Sequence, residues 1–285
     1  MTPQAALLAL VWGVALTLFC RIALGRFGRR VTNFRGDCVP SGYGVYVAAW
    51  GCAVPLGVLA SGDQSVKPGI ALAFLVTAGS LGVLGFLDDA FGAHGSGGFG
   101  GHLRTLMRQG RVTTGLLKAA GGGLASLWAA WLLGEGTAAP HLVLLDGLLI
   151  ALSANFINLL DLRPGRAGWT FLFLWAALCG VGLAAALPGP PVVRDYALLT
   201  LPAAASLVVL LPGDSRGRRI LGDGGANPLG GLLGLGVCLL WPLWARVVCL
   251  GLLIAVHVYA ERRSLSALIE SVPFLRALDR RLGVR

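Results

Sequence analysis

Charge is scarce in this chain. Only 13% of its 285 residues are Asp, Glu, Lys or Arg, against roughly 25% in an ordinary soluble domain. Hydrophobic residues make up 56% and the mean hydropathy is +0.77. A water-soluble globule cannot hide that much apolar surface, so that class is excluded and lipid becomes part of the solvent. Paired cysteine motifs are also missing. None of the six cysteines forms a Cys-x-x-Cys pair; Cys20, Cys52, Cys179, Cys238 and Cys249 lie in apolar runs and Cys38 in a loop. That excludes a disulfide or zinc framework and leaves packing as their role. No Lys or Arg precedes Arg21, so the positive n-region of a cleaved secretory signal is absent and the start reads as an uncleaved first span. Glycine is plentiful at 43 residues but has no three-residue period, which excludes collagen. In a membrane bundle glycine lets helices approach closely.

What is there is a series of apolar runs. A membrane-crossing helix needs roughly 20 such residues. By that measure hydropathy predicts about nine spans, at 4–25, 43–60, 68–87, 113–134, 140–159, 169–187, 196–211, 227–243 and 245–260. The predicted fold is an all-α polytopic bundle over residues 1–263, with a basic amphipathic interfacial tail over 264–285. Of the 23 Lys and Arg residues, all but Lys67, Arg194 and Arg246 fall on one predicted side. The positive-inside rule assigns that side to the cytosol and puts the N-terminus outside. An odd span count leaves the C-terminus cytosolic. The net charge of +10 is thereby a topology signal, and nucleic acid is not an expected partner. The tail spaces Leu265, Leu268, Val272, Leu275, Leu278 and Leu282 at near-helical intervals with Arg opposite. It is too charged to span, so it is predicted to lie on the inner surface, divided at Pro273.

Polar chemistry crowds the same predicted side. Asp88 and Asp89 end an apolar run in Leu84-Gly-Phe-Leu-Asp-Asp-Ala-Phe-Gly. Adjacent carboxylates repel, and a divalent cation with a preference for oxygen, Mg²⁺ above all, relieves that repulsion. Asn155, Asn158 and Asp161 recur every three residues, roughly on one helical face; the two Asn could equally serve hydrogen bonds between helices. Asp223 lies in Leu221-Gly-Asp-Gly-Gly-Ala-Asn-Pro-Leu, a glycine-rich turn before a helix for which Asn227 suits the N-cap and Pro228 the first position. Free N–H groups there are suited to phosphate. His257 and Glu261 are one helical turn apart, and Arg262 and Arg263 follow; the arginines fit either a phosphate or a topology anchor. Lys118 either snorkels to the interface or neutralises a substrate phosphate. His94 and His102 flank the glycine stretch Gly92–Gly101, and Asp146 lies inside a span as a structural partner rather than a catalyst.

Gly85-Phe-Leu-Asp-Asp-Ala-Phe-Gly, Asn155-Phe-Ile-Asn-Leu-Leu-Asp and Leu221-Gly-Asp-Gly-Gly-Ala-Asn-Pro-Leu-Gly-Gly, in this order, resemble the polyprenyl-phosphate N-acetylhexosamine-1-phosphate transferases. That family includes phospho-MurNAc-pentapeptide translocase and the undecaprenyl-phosphate GlcNAc-1-phosphate transferases. Asn33-Phe-Arg-Gly, followed by Val39-Pro40, is similar to its first cytosolic loop, and the resemblance covers roughly 31–265. It implies transfer of a sugar-1-phosphate from a UDP-sugar to a polyprenyl phosphate at the cytosolic face of the plasma membrane, for cell-envelope glycan synthesis. It implies Mg²⁺, or Mn²⁺ in its place, and allows a homodimer. Asp88 and Asp89 match the family's acidic pair, Asn158 and Asp161 its Asn-x-x-Asp motif, Asp223 its metal-binding Asp, and Lys118 a basic residue. The metal is expected on Asp223 with Asp88 or Asp89; Asp161 joins the catalytic set; Lys118, Asn155, Asn158, Asn227, His257, Glu261, Arg262 and Arg263 are expected to bind substrate. Departures are Pro164 where the family often has a further Asp, a histidine cluster reduced to His257, and no final span. The competing class is a non-catalytic membrane protein that binds the lipid carrier, or a transporter.

Overall fold

The computed structural model describes residues 18, 22, 30–33, 35–61, 66–91, 105, 107–108, 110, 113–184 and 189–283. The predicted first span (apart from residues 18 and 22), Cys20, the glycine stretch, His94 and His102 lie outside the described residues. Among the described residues, β1 (Arg30–Thr32) and β2 (Cys38–Pro40) form an antiparallel hairpin. Ten helices follow: α1 (Val45–Ser61), α2 (Pro68–Phe91), α3 (Thr114–Leu133), α4 (Pro140–Leu160), α5 (Arg166–Ala184), α6 (Pro190–Asp214), α7 (Asp223–Leu240), α8 (Leu243–Arg262), α9 (Leu265–Ser271) and α10 (Pro273–Leu282).

The hairpin departs from the all-α expectation, and Asn33 explains it. Its Oδ1 accepts from the N–H of Arg35 at 2.8 Å and of Asp37 at 2.9 Å. An Asn that bonds the backbone two residues on makes a turn. Gly36 completes it at φ +87°, a left-handed angle glycine adopts without a Cβ clash.

Among the described residues six helices, α2 to α6 and α8, are long and apolar enough to cross a membrane, so the chain is a multi-pass membrane bundle. Two predicted spans differ from these. Helix α1 has 17 residues. Helix α7 is diluted by glycine, and all its residues from Gly224 to Leu240 except Leu239 are buried. A helix buried all round belongs inside a bundle rather than against lipid. The packing shows why: α1, α2, α3, α4, α5 and α6 touch in sequence, α6 closes back onto α1, and all six touch α7. Helix α8 stands outside this ring against α4. Glycine makes the centre possible. A Cβ at Gly234 would sit 2.7 Å from the Ile150 Cα, and one at Gly231 2.6 Å from both Leu81 and Thr77 side chains. Gly230 and Gly234 are one turn apart, the small-xxx-small spacing of closely packed membrane helices.

Charges at the end of the bundle away from Asp223 are paired. Lys67 meets Glu135, Arg194 meets Asp195, and Arg246 donates to both Asp146 oxygens at 3.0 and 2.8 Å. Asp146 is thus a structural partner, and Arg246 fastens α8 to α4. Removing one member of a buried pair leaves the other uncompensated. Arg246→Met is therefore expected to destabilise the protein by about 3 kcal/mol, read from thermal unfolding in detergent. Unchanged unfolding would show that α8 needs no such fastening.

The predicted break at Pro273 separates α9 from α10. The segment is also docked, which hydropathy did not indicate. Arg166, 8% exposed, donates to the two Asp279 oxygens at 2.9 and 3.0 Å and to the Ser266 hydroxyl at 3.0 Å. A forked guanidinium suits a carboxylate in this two-point way. The described cysteines are all free; Cys52, Cys179, Cys238 and Cys249 are at least partly buried, whereas Cys38 is exposed in β2 and departs from the packing role.

Candidate functional site

Helix direction brings the acidic motifs together. Asp88 and Asp89 end α2, Lys118 begins α3, Asp161 follows α4, and Asp223 begins α7. All lie at one end of the ring, around the N-terminus of its central helix.

Asp89 holds that N-terminus. Its Oδ1 accepts from the Asp223 N–H at 3.1 Å and its Oδ2 from the Gly224 N–H at 3.0 Å. The carboxylate caps, from another helix, two of the donors a helix start leaves unpaired. Such closeness requires small residues. Gly222 has φ +77°, and a Cβ on it would lie 2.7 Å from Asp89 Oδ2. A Cβ on Gly85 would overlap the Asp223 carbonyl. Asp161 Oδ2 accepts from the Gly222 N–H at 3.0 Å. Its carboxyl is pushed well above the usual range, first by burial and next by Asp214, while the Gly222 N–H opposes the shift and Asp223 and Asp89 add to it.

Lys118 joins the remaining acids. Its Nζ lies 2.9 Å from Asp88 Oδ2 and also pairs with Asp223 Oδ2. These side chains keep 19–25% of their surface exposed, so the cluster is open to a ligand. The Lys118 ammonium turns to the acids. Thr114 also bonds Asp88.

Helix α7 begins earlier than the sequence predicts. Asp223 is its first residue and Gly222 its N-cap. Asn227 is therefore not the cap. It is 4% exposed and its Nδ2 donates to the Asp223 carbonyl at 2.8 Å. Pro228 sits inside the helix rather than at its start. The reason is Asp89, whose cap from α2 starts the helix five residues upstream. Asn155 and Asn158 are half-buried on α4. Among the described residues neither side chain hydrogen-bonds another helix. His257 is held by its own helix, with Nδ1 2.7 Å from the Leu253 carbonyl. No bond joins His257, Arg262 or Arg263 to the four carboxylates among the described residues. Glu261, Arg262 and Arg263 are exposed at the end of α8.

The loop entering α7 is stitched from several directions. Asn33 Nδ2 donates to the Gly217 carbonyl at 2.8 Å. The Ile220 N–H donates to Pro40 at 3.2 Å, and the Gly44 N–H to Leu221 at 2.9 Å. The Arg219 guanidinium lies 5.0 Å from the Tyr43 ring centre. Asp214 Oδ2 accepts from the Gly165 N–H at 2.8 Å, tying this loop to the one that carries Asp161. Sequence reasoning gave Asp214 and Tyr43 no role, and placed Arg219 only in a basic cluster flanking the site. The one sequence signal for Asp214 is an acid ending an apolar run nine residues before Asp223.

Among the described residues, no three His, Cys, Asp or Glu side chains are grouped to hold a metal ion. The donor pair Asp88 and Asp223, joined through Lys118, still fits magnesium. That ion keeps several waters and commonly takes one or two carboxylates together with substrate phosphates, rather than an all-protein cage. Compared with protein-family models and with curated proteins, the chain matches none.

Proposed function

We propose that the chain transfers a sugar-1-phosphate from a UDP-sugar to a polyprenyl phosphate at the cytosolic face of the plasma membrane. The observation that carries this reading is the convergence of Asp88, Asp89, Asp161 and Asp223 with Lys118 at the N-terminus of one buried helix. The lysine is the group there that favours phosphate, because the N–H groups of the helix start are already held by Asp89 and Asp161. The lipid phosphate oxygen attacks the phosphorus that carries the sugar. The bond from that phosphorus to the bridging oxygen breaks, UMP leaves, and a polyprenyl-diphosphate sugar remains in the membrane. Lys118 neutralises a phosphate, Asp88 and Asp223 are the magnesium-holding carboxylates, and Asp89 keeps the start of α7 in place. Bound magnesium would offset charge building on the diphosphate. A phosphate monoester loses its second proton near pH 6, so no strong base is needed. Asn155, Asn158, Asn227, His257, Glu261, Arg262 and Arg263 remain the proposed substrate contacts, with Asn227 acting through the α7 backbone.

Two observations favour a second reading, a non-catalytic relative that binds the lipid carrier. Lys118 already pairs with both proposed metal ligands, and Pro164 stands where the resembling family often has an acid. Radiolabelled UDP-sugars, polyprenyl phosphate and Mg²⁺, with purified protein, separate the two. Transfer of label into lipid, with inhibition by UMP stronger than by CMP, is expected. Binding of polyprenyl phosphate without transfer from any UDP-sugar would establish the second reading instead. The side is tested by cysteine labelling of intact cells. Arg216→Cys should stay protected and Thr137→Cys should be labelled; the reverse pattern would overturn the cytosolic site.

A further inference from the structure

Helix α10 exposes two different surfaces. Phe274 and Leu278, one turn apart, are 72% and 42% exposed. Arg276 and Arg280, also one turn apart, are exposed. Two residues of helix separate each aromatic or aliphatic position from the next arginine, which puts the pairs on nearly opposite sides. Arg276, Arg280 and Arg281, with Pro273 and Ala277, line a cleft of about 340 Å³. The height of the helix is fixed as well. Its Asp279 binds Arg166, the first residue of the apolar helix α5, so α10 lies level with the end of the bundle. A helix at that level with an apolar side and a basic side is placed to sink the first into acyl chains and to keep the second among headgroups.

We propose that α10 is a docking element for anionic phospholipid, with Phe274 and Leu278 entering the leaflet, Arg276 and Arg280 on the opposite side holding headgroup phosphates, and Arg281 lining the same cleft from the edge of the apolar side. Charge complementarity selects this occupant. Three arginines around one cleft match a phosphodiester, and each basic group near an anionic leaflet adds to binding. The exposed Arg262 and Arg263 at the same end of the bundle extend the basic surface. Neither the transfer reaction nor the acidic cluster enters this inference.

The test is hydrogen exchange on the full chain in nanodiscs of phosphatidylcholine alone and of an equimolar mixture with phosphatidylglycerol. Amides of residues 274–282 should exchange roughly tenfold more slowly, or slower still, in the anionic discs. The difference should vanish in the R276Q/R280Q/R281Q variant and in high salt, with α7 amides unchanged as the control for folding. Equal exchange in both lipids, or a difference that survives the triple variant, would overturn the proposal. Inorganic phosphate giving the same protection in neutral discs would also overturn it, because the cleft would then hold a free anion.

Discussion

Asp223→Asn is expected to lower sugar-phosphate transfer by on the order of 10²-fold or more, the scale of losing one charge-stabilising group in such chemistry. Asp223 offers Oδ2 to Lys118 beside Asp88. Asn keeps the size of the side chain but gives up the charge that a hard cation requires. The bundle should stay folded, because the link from Asp223 to α2 runs through its own N–H to Asp89, and the substitution leaves that N–H intact. Asp161→Asn is the comparison. Its acceptor oxygen can still take the Gly222 N–H, so its loss should be smaller. The measurement is turnover of monodisperse variants across a Mg²⁺ titration. Near-normal turnover of Asp223→Asn at ordinary Mg²⁺ would remove it from the metal site.

Much of this arrangement was legible in the sequence. Asp88, Asp161 and Asp223 each sit where an apolar run stops or starts, and alternating helix direction brings such positions to one end. The break at Pro273 was readable because a proline cannot continue a helix. The start of α7 was not. Local chemistry favoured Asn227 and Pro228, but the cap is Asp89, contributed by a helix more than a hundred residues earlier. The central place of α7 was also hidden, because its hydropathy resembles that of a span facing lipid. Its glycines were the clue, since Gly230, Gly231 and Gly234 admit neighbours on two sides. Arg166 was read as a topology charge, and only the fold brings Asp279 to it. Ion pairs between distant elements carry no local period, so composition could not distinguish Arg166 from the exposed arginines.

Lys118→Met is expected to give the second large effect, and it reads the cluster without relying on turnover. In the native chain one ammonium balances Asp88 and Asp223. Methionine has a similar length and no charge, so the two carboxylates would face each other with Asp89 close by. Breaking such a largely buried pair by removing one partner costs about 3–5 kcal/mol. Thermal unfolding in detergent with EDTA should therefore move to clearly lower temperature. Magnesium should then restore much of the loss, because a divalent cation can bridge the carboxylates that the lysine had balanced. In the native protein the same Mg²⁺ addition should raise stability less, since Lys118 competes for the same oxygens. A variant destabilised in EDTA but unmoved by Mg²⁺ would mean that Asp88 and Asp223 form no cation site, and Lys118 would be a structural tie between α2, α3 and α7. Recovery by Mg²⁺ would instead show that Asp88 and Asp223 hold a cation in the place that the Lys118 ammonium takes in the native chain.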